Sequence, residues 1–408
     1  MHLGIDIGTT RTKATLVSSS GNWSFTSTIA TPQGSNGGII PLGIVWRTVL
    51  SVATSAALKI PKFRVSSIAI SAQCLTLCRF DRERPTEGVA ISYLRRAAML
   101  RRGELGGRAR LMSAKGATTY KSIWELDRRC DSLGVRRDKR STGTLTSYIN
   151  YCLSGRLSLD PISLWESGIP KEDIAGVFPN TSILGAVDRL GVCNSDSPFH
   201  GAILASGTTD SVASYYGASD RPGFAMIYAG TWGSVFTTPN NTREIVSASP
   251  LLPPYRWAVS VANFGQDIEA LARGANVRVS TLLNYAATSR LKHIRRKSRP
   301  SRKTDSGDLT LIATATNLAI KKIADFAKRA RGVAIRLQRT KTPLVITGGL
   351  AESEAFCLLF RSLLGVQLNR SSIVHGSFGT ALIAAHAVGI DIQRSPEQPI
   401  NESNPIEA

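Results

Sequence analysis

The segment Asp6-Ile7-Gly8-Thr9-Thr10 follows an apolar run and precedes Lys13. A short carboxylate at the end of a strand can hold the water shell of a magnesium ion, and a glycine lets the backbone approach a ligand closely. Threonine hydroxyls and backbone N–H groups bond phosphate oxygens, and a lysine adds a point charge. These residue types match a phosphate site, although they are also common in an ordinary hairpin turn. The Walker pattern is absent from the chain.

Two further glycine turns have the residue types of nucleotide sites. The turn Gly230-Thr231-Trp232-Gly233 repeats the combination of glycine and hydroxyl, and two such turns match what the phosphate tail of a nucleotide requires. The pair Gly348-Gly349 follows the apolar run 344–347 and offers a close approach suited to a flat adenosine group. Taken singly, a pair of glycines after a strand is more often plain loop geometry.

Asp210 ends the segment SGTTD and is the candidate general base. Phosphoryl transfer depends mainly on positioning and charge neutralisation, with one carboxylate to accept the proton of the attacking hydroxyl. The alternative is that Asp210 is the N-cap of a helix over 211–218, a position that Asp strongly favours. The two roles are compatible, so the sequence leaves both open.

Alternating strand and helix patterns must position these residues. The first thirty residues predict paired strands, followed by a helix over 43–58 and strands over 65–71 and 75–80. From there to about residue 156 the pattern is helical and rich in arginine.

The opening succession of strand, glycine turn and strand recurs about 225 residues later, at 224–238, which indicates two related halves. Later in the chain the patterns predict a strand over 344–347 and helices over 309–330, 352–364 and 377–386. Such alternation predicts an α/β architecture, in which ligands bind beyond the ends of the strands.

Composition and charge restrict the class of protein. A chain of 408 residues with 42% hydrophobic and 19% charged residues can bury a sizeable core, and it is neither disordered nor fibrous nor a disulfide scaffold. The net charge of +21 attracts anionic partners of any size. The densest basic run, 292–303, predicts a solvated loop, and its lack of aromatic residues disfavours nucleic acid as a partner.

Cysteine usage and the absence of apolar segments indicate the compartment. The 6 cysteines are scattered without metal-binding spacing, as in a reducing environment. The chain opens with no secretory leader, and it contains no apolar run of membrane-spanning length. We therefore expect a cytoplasmic protein without a membrane partner.

Six segments, in order along the chain, resemble the motifs of the FGGY carbohydrate kinases, which phosphorylate sugars and polyols with ATP. They are GIDIGTTRTKATLV, SIAISAQCLTL, GATTYKSIW, ILASGTTDSVASYYGA, YAGTWGSVF, and VITGGLAES with GSFGTALIAA. The resemblance implies an α/β fold with the two domains of actin and hexokinase, a ribonuclease H-like ATPase fold with an interdomain cleft. It also implies an acceptor-binding domain over 1–220, a nucleotide-binding domain over 221–392 and a flexible tail over 393–408.

Residue by residue, the resemblance implies that Asp210 is the general base, that Asp6 is associated with magnesium and that Gln73 lies at the acceptor. ATP and Mg²⁺ are the implied cofactors. The implied reaction is in-line transfer of the γ-phosphoryl group of ATP to an acceptor hydroxyl. The residues assigned to ATP are Gly8, Thr9, Thr10, Lys13, Gly230, Thr231, Gly233, Gly348 and Gly349.

Two departures from the family pattern concern the acceptor. Residues 71–76 lack the Met-His pair of pentulose-using relatives, and Tyr93-Leu94-Arg95-Arg96 stands where many members have Trp-Asn/Gln-Asp-x-Arg. Arg95 can only donate hydrogen bonds, whereas Asp accepts them. With Tyr93 and Arg95 at the acceptor, we expect a carboxylate, a phosphate or another acceptor-rich group on the substrate, or a sugar other than an ordinary pentulose. The alternative is a shifted alignment within an arginine-rich helix.

Three functions stay open at this stage. They are an ATP-dependent kinase of a sugar-like small molecule, a catalytically weak nucleotide-binding sensor or scaffold, and a basic nucleic-acid-associated protein. The presence of Asp6, Asp210 and both phosphate turns favours the kinase, because a protein that only binds nucleotide has no need of the base. The sequence specifies neither the acceptor nor the oligomeric state, for which a homodimer is one option.

Overall fold

The structure is a computed structural model that describes residues 1–32, 34, 38–59, 64–74, 76–92, 108–194, 197–219, 224–237, 256–261, 263–295, 307–339, 341–371, 376–392 and 398–399. These residues form two compact units. The first unit contains Met1–Gly217 and the segment that begins at Gly376. The second unit begins at Ala218 and includes the short pair 398–399.

Within the described residues, the strands form four sheets. In chain order they are β1 (His2–Ile7), β2 (Arg11–Val17), β3 (Ser24–Ala30), β4 (Ile39–Pro41), β5 (Ser67–Ala72), β6 (Leu77–Asp81), β7 (Gly88–Ile91), β8 (Arg140–Thr144), β9 (Leu157–Leu159), β10 (Thr181–Ile183), β11 (Arg189–Val192), β12 (Ile203–Ala205), β13 (Thr208–Thr209), β14 (Ala225–Ala229), β15 (Gly233–Thr237), β16 (Arg256–Val261), β17 (Leu344–Thr347), β18 (Asn369–Arg370) and β19 (Gln398–Pro399).

The α-helices cover the sheets. They are α1 (Leu42–Ala57), α2 (Arg108–Ser132), α3 (Leu145–Ser154), α4 (Pro161–Ser167), α5 (Ile174–Val177), α6 (Asp210–Ala218), α7 (Phe264–Gly274), α8 (Val279–Arg295), α9 (Gly307–Arg339), α10 (Glu354–Leu364) and α11 (Gly376–His386). Short 3₁₀ turns occur at 137–139, 171–173 and 349–352. Among the described residues, none of these helices is both long enough and apolar enough to cross a bilayer.

A seven-stranded sheet forms the centre of the first unit. Its order is β11-β12-β5-β1-β2-β3, and β13 also pairs with β5. Strand β1 is antiparallel to β2 but parallel to β5, which is in turn parallel to β12 and β13. Every residue of β1 and β5 is buried, as expected for strands that are covered on both faces. The carboxyl ends of β1, β5 and β13 therefore meet at one edge of the sheet.

Helix α11 brings a late part of the chain back onto this sheet, against β1 and β5. It consists mostly of small residues, and a Cβ atom at Gly379 would lie 1.9 Å from the carbonyl oxygen of Ala213 on α6. Only glycine therefore permits the two helices to pack this closely. Ser67 Oγ, on β5, donates a 2.7 Å hydrogen bond to the carbonyl of Ala384. The end of the chain thus helps to build the first unit.

A second sheet of the first unit corrects one expectation from the sequence. The antiparallel order β4-β7-β6-β8 includes two strands, β7 and β8, within the stretch expected to be helical up to residue 156. Strand β8 is polar in sequence, yet all of it is buried. The guanidinium of Arg140 is neutralised by Asp131 at 2.7 Å and by Asp127 at 3.3 Å, both on α2. Periodicity does not reveal this strand, because its burial depends on charges from a distant helix.

The second unit contains a six-stranded sheet in the order β16-β15-β14-β17-β18-β19. Strand β14 is antiparallel to β15 and parallel to β17. This arrangement repeats that of β1, β2 and β5, so the recurrence predicted from the sequence is present in the fold. The helices α7, α9 and α10 meet in an aromatic core of Phe264, Phe326, Phe356 and Phe360.

The remaining sequence predictions for the second unit are close to the structure. The strand over 344–347 has the predicted bounds, and the helix predicted over 309–330 extends to Gly307–Arg339. The helix predicted from residue 352 begins instead at Glu354, because Ser353 is its N-cap and accepts a hydrogen bond from the amide of Phe356. Most of the basic segment 292–303 and of the tail 393–408 lies outside the described residues.

Candidate active site

Two carboxylates meet at the edge of the first unit's sheet where β1, β5 and β13 end. The strand register aligns Asp6 with Ser71, and Ser71 with Thr208. Asp210 follows Thr208 by two residues and begins α6. The charge of Asp6 acts directly on Asp210, although the two residues are far apart in the sequence. The edge at which ligands bind in α/β proteins thus contains two interacting acids.

Buried hydroxyl groups hold the carboxylate of Asp6. Ser71 Oγ donates a 2.7 Å hydrogen bond to Asp6 Oδ1 and lies 2.7 Å from Thr380 Oγ1 on α11. Thr380 Oγ1 in turn lies 2.8 Å from the carbonyl oxygen of Gly376. Since all four residues are buried, Asp6 is oriented by contacts that exclude bulk water.

The carboxylate of Asp210 lies at the start of α6, where Oδ1 accepts a 2.8 Å hydrogen bond from the amide of Ser211. The backbone amide of Cys74 also donates to it. Two effects nevertheless raise the pKa of Asp210 from 3.8 to about 7. The larger is burial, and the smaller is the negative charge of Asp6. Asp210 therefore combines contacts typical of a helix terminus with a pKa close to neutrality.

The first glycine turn is fixed by both backbone and side-chain contacts. The amide of Gly8 donates to the carbonyl of Arg11 at 3.0 Å, and Gly8 O accepts from Thr31 Oγ1 at 2.8 Å. Gln73 Nε2 lies 3.3 Å from the same oxygen, and Gln73 Oε1 accepts from Thr76 Oγ1 at 3.3 Å. Gln73, which was predicted to lie at the acceptor, thus contacts the first glycine turn in this structure.

The other predicted phosphate residues of the first turn lie next to these contacts. Thr9 is partly exposed and Thr10 is exposed, and the carbonyl of Thr10 accepts a 3.0 Å hydrogen bond from the amide of Thr31. Lys13 is the cross-strand neighbour of Asp6 in the β1–β2 register. Cross-strand neighbours project from the same face of a sheet, so Lys13 and Asp6 are on one side of the hairpin.

One supporting residue was missed in the sequence. Asp160 is the buried N-cap of α4, and its Oδ1 accepts from the amides of Ile162 and Ser163 at 3.1 Å and from Thr208 Oγ1 at 3.2 Å. Thr146 Oγ1 donates to the carbonyl of Thr208 at 3.1 Å. These contacts hold β13 and hence the start of α6. The dipeptide Asp160-Pro161 signals an N-cap followed by proline at N1, but nothing in it signals the contact with Thr208.

In the second unit, the predicted ATP residues gather around one turn. The amide of Gly265, on α7, lies 3.1 Å from the carbonyl oxygen of Gly230 and 3.2 Å from that of Thr231. Gly348 has a φ of 102°, and a Cβ atom there would lie 2.7 Å from the carbonyl carbon of Ala229. Glycine is thus required at 348 by both conformation and space. Gly233 begins β15, and Gly349 is exposed.

The predicted acceptor residues Tyr93 and Arg95 lie outside the described residues. Within the described part of the chain, no group of three or more His, Cys, Asp or Glu side chains is arranged to hold a metal. Mg²⁺ in phosphoryl-transfer sites usually retains waters and takes one or two carboxylates together with substrate phosphates. The Asp6 carboxylate, oriented by Ser71 and beside Asp210, fits this kind of site.

Solved structures match the chain over nearly its whole length, whereas no family model and no curated protein sequence matches it. The ligand-bound xylulose kinase from Lactobacillus acidophilus has 17% identity and a TM-score of 0.67, with 98% of this chain and 93% of that chain covered. The gluconate kinase from the same organism has 16% identity, the same coverage and a TM-score of 0.67. Plasmodium falciparum glycerol kinase with ADP has 14% identity and a TM-score of 0.66, with 96% and 90% covered. At these identities the likeness establishes the fold.

Proposed function

We propose that this chain, which has the fold of the FGGY carbohydrate kinases, transfers the γ-phosphoryl group of ATP to a hydroxyl group of a sugar-like small molecule. The observation that carries the proposal is the meeting of Asp6 and Asp210 at the carboxyl ends of neighbouring parallel strands. Two such acids suit phosphoryl transfer, because one can serve the metal while the other serves the acceptor. A protein that only bound nucleotide would have no need of a base.

In the proposed reaction, ionised Asp210 accepts the proton of the acceptor hydroxyl. The acceptor oxygen forms a bond to the γ-phosphorus, the bond from that phosphorus to the β,γ-bridging oxygen breaks, and ADP leaves with the electron pair. A base with a pKa of about 7 is partly ionised at neutral pH and basic enough to take the proton as the new bond forms. Asp210 is also partly exposed, so an acceptor can reach it.

Asp6 would hold Mg²⁺, directly or through water, and the metal would neutralise the charge of the ATP phosphates. Ser71 orients the Asp6 carboxylate through its 2.7 Å hydrogen bond. We further propose that ATP contacts the residues assigned to it in the sequence. These are Gly8, Thr9, Thr10 and Lys13 in the first unit, and Gly230, Thr231, Gly233, Gly348 and Gly349 in the second.

The acceptor is proposed to be a sugar or polyol that carries an acceptor-rich group. Arg95 supplies only hydrogen-bond donors, and the net charge of +21 favours anionic molecules. A carboxylate or a phosphate on the substrate would satisfy a guanidinium in a bidentate manner. Sugar acids and sugar phosphates are therefore the first classes to examine.

The test is an ADP-release assay over ketoses, aldoses, polyols, sugar acids and sugar phosphates, followed by the variant Asp210→Asn on the best acceptor. We expect one class to stimulate ADP release and Asp210→Asn to lower kcat by about 10²–10⁴-fold, since general base catalysis contributes this much. The matched control is Asp138→Asn, the same change at an exposed carboxylate paired with Arg136. The control should retain the activity of the unmodified protein.

ATP binding by isothermal titration calorimetry separates the kinase from a nucleotide sensor. If Asp210→Asn binds ATP normally but transfers no phosphate, the assignment of the base is supported. If no acceptor stimulates ADP release while ATP binds tightly, the protein is a sensor or scaffold and the proposal is wrong. Equal activity of Asp210→Asn and the Asp138→Asn control would remove Asp210 from the mechanism.

A further inference from the structure

The second half of α9 presents a row of exposed cations on one face. The row, called here the cationic stripe, consists of Lys321, Lys328, Arg329, Arg336 and Arg339. Spacings of three (336 to 339), seven (321 to 328 and 329 to 336) and eight (328 to 336) place these side chains on the same side of a helix. The opposite side packs into the core of the second unit through Ile323, Phe326, Ala330 and Val333. From Lys321 to Arg339 the stripe is about 27 Å long at 1.5 Å per residue.

These cations lack the ion pairs that basic residues elsewhere possess. In the first unit Arg137 contacts Asp131 at 3.1 Å, Arg136 contacts Asp138 at 2.7 Å and Lys139 contacts Glu83 at 2.5 Å. Within the part of the chain that the structure describes, no residue of the cationic stripe has an ion pair. On the same helix, Lys322 pairs with Asp267 at 2.6 Å. The only acid between 321 and 341 is Asp325, which is exposed on the face of the stripe, four residues from both Lys321 and Arg329.

The helix dipole does not explain the stripe. Cations near the C-terminus of a helix are favourable, but this effect is confined to the last turn. It accounts for Arg336 and Arg339, which lie in the last turn of α9, and leaves Lys321, Lys328 and Arg329 unexplained. Five cations against the one acid Asp325 leave this face with a net positive charge, and like charges at neighbouring helix positions destabilise a helix by a few tenths of a kcal/mol per pair. A ligand outside the unit would remove this repulsion.

Gly332 lies in the middle of the stripe, between Lys328 and Arg336. It is exposed, and a Cβ atom there would meet no atom within 4 Å. A glycine in an exposed helix interior costs about 1 kcal/mol relative to alanine, and no packing among the described residues requires it. Because glycine has no side chain, the surface of the helix has a shallow depression at the centre of the stripe. An extended molecule can therefore lie closer to the helix axis at this point.

We propose that the cationic stripe is a docking surface for the phosphate backbone of a nucleic acid duplex. A duplex carries one negative charge per about 1.7 Å of its axis, so a row of this length faces several phosphates at once. A small anion would occupy only one or two of the five cations. Arginine guanidiniums bond phosphate oxygens in pairs, and lysines bind as point charges. The sequence argument against nucleic acid relied on missing aromatic residues, which single strands require for stacking but a duplex backbone does not.

An acidic membrane is the other extended anion, and the stripe suits it less well. Peripheral helices insert large apolar side chains between lipids, in addition to their basic residues. Between Lys321 and Arg339 the only exposed large apolar residue of the described chain is Ile335, at 36%. The stripe therefore offers charge without an inserting surface. The proposal is independent of the proposed kinase reaction.

The test measures binding of the full-length protein to a fluorescent duplex of about 30 base pairs by anisotropy, at several salt concentrations. The stripe variant is Lys328→Gln/Arg329→Gln/Arg336→Gln. The charge-matched control is Arg136→Gln/Arg137→Gln/Lys139→Gln, whose three cations are paired with carboxylates. We expect the stripe variant to raise Kd about tenfold or more at about 0.1 M salt, and to reduce the slope of log K against log salt by about 3.

The control should change Kd less than about threefold, since its cations are already neutralised. Equal weakening by both variants would mean that net charge alone attracts the duplex, and the proposal would be overturned. Absence of binding by the unmodified protein would overturn it as well. Tighter binding to phosphatidylserine vesicles than to the duplex, lost in the stripe variant, would assign the surface to membranes instead. Circular dichroism spectra that match the unmodified protein establish that both variants are folded.

Discussion

The two glycine hairpins of this protein, β1–β2 in the first unit and β14–β15 in the second, share a topology and differ in chemistry. In each, an apolar strand is antiparallel to the next strand and parallel to a later one. Two residues before the turn glycine, the first hairpin has Asp6 and the second has Tyr228. The carboxylate before the turn is thus found only in the first of the two hairpins, where Asp6 meets Asp210.

The hairpins also differ in what holds their turns. In the first, the side chains of Thr31 and Gln73 contact the carbonyl of Gly8. In the second, the backbone amide of Gly265 contacts the turn carbonyls of Gly230 and Thr231. Besides its own backbone hydrogen bonds, the first turn is held by side chains, which can rotate to accommodate a ligand, whereas the second turn is packed against the backbone of α7, which cannot. One topology is therefore supported by adaptable side-chain contacts in the first unit and by rigid backbone contacts in the second.

Removing the carboxylate of the first hairpin, and separately the hydroxyl at the corresponding position of the second, would test this difference most strongly. We expect Asp6→Asn to lower kcat/KM by about a hundredfold or more, because it removes the charge proposed to hold Mg²⁺. Tyr228→Phe, at the corresponding position of the second hairpin, should change it less than about threefold. The ADP-release assay at varied Mg²⁺ measures both, and Asp6→Asn should need more Mg²⁺. Similar losses in the two variants would contradict the division of roles.

Adding a methyl group at each turn should show which of the two turns is more rigid. A Cβ atom at Gly265 would lie 2.4 Å from the carbonyl oxygen of Gly230, whereas one at Gly8 would meet only the carbonyl oxygen of Arg11, at 3.0 Å. We expect Gly265→Ala to lower the free energy of unfolding by about 2–3 kcal/mol, and Gly8→Ala by about 1 kcal/mol or less. Urea unfolding followed by fluorescence measures both. Equal losses would show that the second turn is no more rigid than the first.

The pairing of Asp6 with Asp210 should also be visible as a dependence of stability on pH. The pKa of Asp210 is raised from 3.8 to about 7 in the folded state, so between these values the folded protein binds more protons than the unfolded one. Its contribution to stability is complete below pH 3.8 and is lost as the pH rises towards 7. Asp210→Asn should therefore be more stable than the unmodified protein at pH 8, by roughly 2 kcal/mol, and nearly equal to it at pH 4.

Urea unfolding in the presence of a metal chelator measures this difference. The control makes Asp210→Asn in a protein that already carries Asp6→Asn. There the gain in stability from Asp210→Asn at pH 8 should be smaller, because the neighbouring charge is absent. A gain that did not vary with pH would show that Asp210 is not desolvated beside Asp6.

Much of the fold could be predicted from residue patterns. Strands β1 and β14 are apolar runs before glycine turns, and α10 begins at a serine cap, so local chemistry identifies each of them. The fold class inferred from the six motifs is confirmed by the matches to solved kinases. Strand β8 could not be predicted, because Arg140 is buried only through its pairing with Asp127 and Asp131.

The sequence predicts the residue types of the candidate site, but it does not reveal the residues that hold them in place. Asp6 and Asp210 were recognised as carboxylates beside glycine and hydroxyl residues. The contacts of Ser71 with Asp6, and of Asp160 with Thr208, join segments that are distant in the chain. Serine and capping aspartate are too common in loops for such roles to be recognised from sequence.

The sequence by itself determined the order of strands and helices, the positions of the glycine turns and which side chains can carry charge, because these follow from local conformational preference and residue chemistry. Only the tertiary structure decided which charges meet. It placed Asp210 beside Asp6 and raised its pKa, paired Arg137 and Arg140 with carboxylates, and left the cationic stripe without ion pairs among the described residues. Proximity and desolvation are properties of the packed chain, and they set the strength of every electrostatic interaction in it.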